Sequence, residues 1–187
     1  MHYIEINISD KQRREAFSLY PFSNLNNSIM EGRSNIYGAL GEVVIRDCFG
    51  GRIVGDFNYD LIIDSLRVDV KTKKTSVRPR PDYNCSVVHL NQDCDYYLFV
   101  RILSDLTKAY LLGYLSRDEM RQKATFNKKG EIETHIFNFR ADCYNVRVDK
   151  LNEFNHKKIC RDKVEYYLRR LNPTHTHDNF FQERLQR

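Results

Sequence analysis

Residues 58–74 read Asn-Tyr-Asp-Leu-Ile-Ile-Asp-Ser-Leu-Arg-Val-Asp-Val-Lys-Thr-Lys-Lys. Apolar and polar side chains alternate on both sides of Asp64-Ser65, a pair that suits a tight turn, so this stretch predicts a β-hairpin. With a two-residue loop, Asp60 lies opposite Asp69. Because side chains alternate between the faces of a strand, Asp60, Asp69 and Lys71 share one face of the hairpin. The other face is apolar and carries Leu61, Ile63, Val68 and Val70.

The acidic face of this hairpin needs an explanation. Side chains directly opposed in a sheet have Cβ atoms roughly 4.5–5.5 Å apart, and like charges at that distance destabilise the pairing. A divalent metal ion between Asp60 and Asp69 would remove the repulsion, because carboxylate oxygens are ligands that Mg²⁺ prefers. A slip of the hairpin register would undo the pairing, and Asp56 and Asp64 are the competing acids in that case.

Composition places few limits on the chain. Its 187 residues suffice for a single domain, 1–187, with a sizeable core. No apolar run approaches the ~18 residues of a membrane span, and the N-terminus lacks the form of a signal peptide. The net charge of +5 allows a nucleic-acid partner without requiring one. The cysteines are odd in number and never paired as C-x-x-C, which predicts reduced thiols in a cytoplasmic protein: Cys48, Cys85, Cys94, Cys143 and Cys160.

The remaining elements follow from capping signals and periodicity. Ser9–Gln12 and Ser116–Glu119 have the form of capping boxes that open helices ending near Tyr20 and Thr125. A further helix is predicted from Asn35 to about Cys48, with Ser34 as its N-cap and Gly50-Gly51 as its end. Strands are predicted over 85–90, 95–103, 108–115, 132–139 and 143–148, and an amphipathic helix over 156–171.

Glu42 lies in the predicted helix 35–48, after Gly38 and Gly41. Glycine within a helix costs roughly 1 kcal/mol relative to alanine. The two glycines make sense if the helix passes very close to a sheet and directs Glu42 at a group there. An exposed surface glutamate is the competing interpretation.

The hairpin continues into a basic stretch, residues 71–80, that contains no acid. Arg78-Pro79-Arg80-Pro81 cannot form a regular helix or a central strand, so the stretch predicts an extended loop. Its position beside Lys71 favours contacts with nucleic-acid phosphates over a merely solvated run of charge. The candidate nucleic-acid-binding residues are Lys73, Lys74, Arg78 and Arg80.

The order of a helix with Glu42, a strand with Asp60, and then Asp69-Val70-Lys71 resembles the PD-(D/E)XK nuclease superfamily, over roughly residues 28–125. Tyr59 stands where the name-giving proline would be. The resemblance implies an α/β (α+β) restriction-endonuclease-like core, a central mixed β-sheet flanked by helices, here with a C-terminal helical extension at about 140–187. Gln92 is a candidate match to a glutamine that some members place near the site.

The resemblance implies roles for these residues. Asp60, Asp69 and the backbone carbonyl of Val70 would bind Mg²⁺, for which Mn²⁺ can substitute. Glu42 would bind a second metal or hold a metal-bound water, and Lys71 would orient or help deprotonate the attacking water. Glu42, Asp60, Asp69 and Lys71 are thus the predicted catalytic residues.

The implied function is a metal-dependent DNA nuclease that leaves 5′-phosphates and needs no organic cofactor or membrane. An endonuclease is favoured, but restriction-type cleavage, Holliday-junction resolution and exonuclease trimming all use this core. A homodimer is compatible with this function. The alternatives are a nuclease-fold protein that binds nucleic acid or acts as a scaffold without catalysis, and a non-nucleolytic protein with a chance D-x-K hairpin. Retention of all four polar positions argues against an inactive site.

Overall fold

The computed structural model describes residues 3–19, 35–134 and 137–154. Their elements, in chain order, are β1 (Ile4–Asn7), α1 (Asp10–Leu19), α2 (Asn35–Phe49), β2 (Arg52–Ile53), β3 (Leu61–Ile63), β4 (Leu66–Thr75), β5 (Asn84–Val87), β6 (Tyr96–Leu103), β7 (Lys108–Ser116), α3 (Arg117–Lys123), β8 (Thr125–Asn127), β9 (Ile132–Thr134), β10 (Phe137–Asn138) and β11 (Cys143–Arg147), followed by a 3-10 turn at Val148–Lys150.

A mixed six-stranded sheet forms the centre, in the order β1-β7-β6-β4-β3-β2. Strands β4 and β6 run parallel, and the other neighbours are antiparallel. Strands β5, β11 and β8 form a smaller sheet, and β9 pairs with β10. The prediction of an α/β protein with a central mixed sheet flanked by helices is confirmed.

The central sheet has a separate apolar cluster on each face. Helix α2 covers one face, where Leu40 and Val43 pack in a cluster with Val68 and Val70 of β4. On the other face, Tyr97 and Phe99 of β6 cluster with Met120 of α3 and with residues of the smaller sheet. Asp69 lies between Val68 and Val70 in β4, and side chains alternate along a strand, so Asp69 points away from α2.

The hairpin forms with the predicted register. Ile63 pairs with Leu66 and Leu61 with Val68, and Asp64 adopts φ 54° in the two-residue turn, as a tight hairpin requires. The predicted capping boxes are also present. Ser9 and Gln12 bond reciprocally at the start of α1, and Ser116 and Glu119 do so at α3. The Asn35 helix ends at Phe49, one residue beyond the prediction.

The prediction of a loop over 71–80 is wrong for its first half. Strand β4 continues to Thr75, because it pairs with β6 in parallel register along its length, from Val68–Tyr96 to Thr75–Leu103. The polar run therefore belongs to an interior strand of the sheet.

Several predictions fall outside the described residues: Ser34, Cys160 and the helix 156–171. Cys48, Cys85, Cys94 and Cys143 are free thiols, as predicted. Among the helices within 3–19, 35–134 and 137–154, none combines the length and apolar character needed to cross a membrane.

Candidate functional site

Asp60 directly precedes strand β3 and lies against β4. Asp60 N donates to Val68 O at 2.9 Å, and Val70 N donates to Asp60 Oδ2 at 2.6 Å. The Asp60 carboxylate thus accepts the hydrogen bond from Val70 N that a backbone carbonyl would have accepted if β3 continued. Regular pairing stops at Leu61, and this stop leaves room beside Asp69 for a carboxylate.

Asp69 is almost fully buried, with 2 % of its surface exposed. Its Oδ2 lies 2.6 Å from Lys71 Nζ, the next residue on the same face of β4. Among the described residues no well-directed hydrogen bond reaches that oxygen, so the contact with Lys71 is an ion pair. The two residues of the D-x-K motif are therefore in direct contact.

Glu42 approaches the same region from α2. A Cβ added to Gly41 would lie 2.0 Å from Thr72 Oγ1 of β4, so only glycine allows the helix to come this close. The inference of a close approach is correct for Gly41 and wrong for Gly38, where an added Cβ would meet nothing within 4 Å. Glu42 is buried, which excludes the exposed surface glutamate.

The pKa of the Asp60 carboxyl group is affected by both other acids, Asp69 and Glu42. Burial raises its pKa well above the ordinary value, and the neighbouring charges of Asp69 and Glu42 raise the pKa further. The hydrogen bond from Val70 opposes this shift without cancelling it. Ionised Asp60 is therefore disfavoured until a positive charge enters.

Two of these carboxylates belong to the chemical class of ligand that Mg²⁺ prefers. Within the described ranges, no group of three or more His, Cys, Asp and Glu side chains is arranged to hold a metal. Mg²⁺, however, is commonly bound by one or two carboxylates plus waters and substrate phosphates. Asp60 and Asp69 supply that set. The N–H and C=O of one strand residue point to the same neighbouring strand, so the Val70 carbonyl also points toward Asp60.

This arrangement divides the predicted metal ligands. Asp60, Asp69 and Val70 form one candidate site, whereas Glu42 influences Asp60 without completing a three-ligand group. The competing acids do not join the site. Asp64 is exposed in the hairpin turn, and Asp56 is exposed and accepts a hydrogen bond from Asn58 N.

The predicted nucleic-acid-binding residues do not form one patch. Lys73 shares a face of β4 with Asp69 and Lys71, and its Nζ lies 3.5 Å from Glu133. Lys74 points to the opposite face, over the ring of Tyr37. Arg78 pairs with Glu5 at 3.1 Å, and Arg80 pairs with Asp82 at 2.9 Å.

No sequence pattern predicted that two buried residues, Tyr97 and Cys94, would lie beside Asp69. Tyr97 lies next to Asp69 in the parallel register, and Cys94 contacts Tyr97. Burial raises the pKa of Cys94 to about 11, so this cysteine is a neutral thiol at neutral pH. Gln92 is buried and donates to Phe57 O at 2.8 Å, which links the two loops that precede β3 and β6.

Neither the comparison with protein-family models nor the comparison with curated proteins finds a match to this chain.

Proposed function

We propose that this chain is a metal-dependent DNA nuclease of the PD-(D/E)XK superfamily with a restriction-endonuclease-like core. The observation that carries the proposal is the pair of the half-buried Asp60 and the buried Asp69, close enough to raise the pKa of Asp60, with Lys71 in contact with Asp69. Opposed carboxylates are costly unless one of them keeps its proton or a cation is bound, and a bound cation would allow both to ionise. The apolar face of the hairpin accounts for its folding, whereas we attribute its acidic face to metal binding and catalysis.

Asp60, Asp69 and the Val70 carbonyl would hold Mg²⁺, with Mn²⁺ as a substitute. When bound, the ion would polarise a phosphodiester and acidify a water. Lys71 places its ammonium group beside Asp69, where it can orient the attacking water and offset negative charge that develops on the phosphoryl oxygens. Glu42 can accept a hydrogen bond from that water. By resemblance, the products would carry 5′-phosphates.

One observation favours a second candidate, a nuclease-fold protein that binds nucleic acid without cleaving it. The described residues contain no three-ligand metal group, and Lys71 occupies the side of Asp69 Oδ2 that a metal would share. The two candidates make opposite predictions about cleavage.

The test is cleavage of linear, nicked, branched and single-stranded DNA by the pure protein with Mg²⁺, with Mn²⁺ and with a chelator. Lys71→Met should abolish cleavage. Lys74→Met is the matched control, since it removes the same charge from the opposite face of the same strand. Binding without cleavage under every metal condition would support the second candidate. Equal cleavage by parent and Lys71→Met would refute the site.

A further inference from the structure

Two loops meet beside Asp60. The first, residues 54–60, is closed by the bond from Val54 N to Asp60 O at 2.8 Å. The second, residues 88–95, precedes β6, and its Gln92 side chain donates to Phe57 O at 2.8 Å. Asp93 N donates to Asn58 Oδ1 at 3.3 Å, so a second bond joins the loops.

The backbone of Phe57 is therefore held in place while its side chain is not covered. The residue is 71 % exposed. Its ring lies against the exposed imidazole of His89, with 5.9 Å between centroids and 42° between planes. Gln92, which is 6 % exposed, is the buried residue that anchors the Phe57 backbone. A fixed loop thus presents two adjoining rings to solvent.

These rings lie near the proposed chemistry. Phe57 is three residues from Asp60, which places their Cα atoms at most about 11 Å apart. Stacked nucleotides rise about 3.4 Å each along a strand. A base within about three nucleotides of a phosphate at Asp60 would therefore span the separation of Asp60 and Phe57.

We propose that Phe57, supported by His89, is a stacking platform for an unpaired base next to the cleaved phosphate. This inference rests on the proposed function and specifies its substrate as DNA with single-stranded character at the site. Aromatic side chains stack on any base because every base has a π-face. In a duplex, each base is already stacked on its neighbours and presents no free face.

The surroundings of Phe57 favour a base over other occupants. Asp56, the preceding residue, is exposed and would repel a phosphate at the ring itself, so a strand would have to present a neutral base there and keep its phosphates away from Asp56. The exposed large apolar side chains of the loop 54–60 are Val54 and Phe57, fewer than make up the broad apolar patches that bind proteins or membranes. An exposed ring on an anchored loop therefore suits a single flat, neutral partner.

The experiment measures equilibrium binding of the full chain to single-stranded and to fully paired oligonucleotides of the same sequence. All proteins carry Asp69→Asn, which prevents cleavage. Phe57→Ala should weaken single-strand binding by roughly 5- to 150-fold, as expected for one lost stack. Phe57→Tyr should restore it, and duplex binding should not change. Phe126→Ala is the matched control, since Phe126 is also exposed, at 45 %, but lies on β8 in the smaller sheet.

Single-strand binding that is unchanged by Phe57→Ala would overturn the stacking platform. So would an equal loss for single strands and duplexes, or a failure of Phe57→Tyr to restore binding. Cleavage of DNA by the parent protein, measured separately, distinguishes failure of the stacking platform from failure of the proposed function. If the parent cleaves DNA but Phe57→Ala binds normally, only the platform fails. If Phe57 is required for single-strand binding but the parent never cleaves, only the nuclease proposal fails.

Discussion

Strand β4 borders two groups of acidic side chains that the protein treats differently. At its start, Arg67 contacts Asp95 at 3.1 Å and also pairs with Asp93, which Arg117 Nη1 contacts at 3.2 Å. Two residues further along the same face, Asp69 meets Lys71, and Asp60 is close by. The first group is matched by two arginines and is partly solvated. In the second, Asp69 is buried, Asp60 is half-buried, and the pKa of Asp60 is raised.

This difference separates a structural ion-pair network from a candidate site. Partly exposed pairs with two arginines are screened and balanced, so they add modestly to stability and imply no further ligand. In the buried group, Asp60 is disfavoured as an anion by burial and by the charges of Asp69 and Glu42. A cation bound there would relieve the repulsion between the carboxylates, and this relief would add to its binding free energy. Four predictions test whether the group around Asp69 is a functional site, beginning with the largest effect.

Matched substitutions test the comparison through activity. Asp69→Asn should lower cleavage by about 10²- to 10³-fold or more, the range for loss of one preorganised electrostatic group. Asp95→Asn should cleave at the parent rate but lose about 1 kcal/mol of stability, because its bonds with Arg67 are structural. Single-turnover cleavage and urea unfolding measure the two effects. Equal losses of activity in both variants would remove the distinction.

Metal addition should stabilise only a protein with the buried group intact. A site filled at about 100 times its Kd adds about 2.7 kcal/mol to the free energy of unfolding. Thermal unfolding with and without Mg²⁺, at constant ionic strength, should show this gain in the parent and in Asp95→Asn, and lose it in Asp69→Asn. A gain of the same size in Asp69→Asn would place the metal elsewhere.

Asp60→Asn should stabilise the metal-free protein at neutral pH by a few degrees in Tm. The raised pKa of Asp60 means that the folded state retains its proton over a range of pH in which the unfolded chain has lost it. Parent stability therefore falls as pH rises from the unfolded pKa, about 3.9, to the folded one. Asparagine can still accept the bond from Val70 N.

Thermal unfolding across a pH series checks this sign. The Tm values of parent and Asp60→Asn should converge at acid pH. They should differ by a constant amount once Asp60 is ionised in both the folded and the unfolded state. A variant that is less stable than the parent at neutral pH would show that the Asp60 anion is favoured, which contradicts the comparison.

The smallest effect concerns the two faces of β4. Lys73 shares the face of Asp69 and Lys71, whereas Lys74 points toward Tyr37. Lys73→Ala should reduce the slope of log affinity against log salt for duplex DNA by about 0.9, the value for one phosphate contact. Lys74→Ala should leave the slope unchanged. Fluorescence anisotropy over a range of salt concentrations measures both, and a reversed order would place DNA on the α2 face.

Much of the fold could be predicted from the sequence because the signals were local. The period-2 alternation around Asp64-Ser65 defined the hairpin register, and reciprocal Ser–Gln and Ser–Glu bonds within single turns defined the helix starts at Asp10 and Arg117. The acidic face of the hairpin and the close approach at Gly41 were likewise predictable from neighbouring residues. The hairpin register and the helix starts do not depend on a distant part of the chain, whereas the contact that explains Gly41 is with Thr72 of β4.

What the tertiary structure alone decided depends on long-range contacts. Pairing with β6 turned the predicted loop at Lys73 and Lys74 into strand and sent these lysines to opposite faces. Docking of α2 and the buried surroundings raised the pKa of Asp60. The bond from Gln92 fixed Phe57, 35 residues away, in the loop beside Asp60. The sequence determined which chemical groups lie on each strand face, because alternation is local. Their burial and their neighbours depend on elements that meet only after the chain folds.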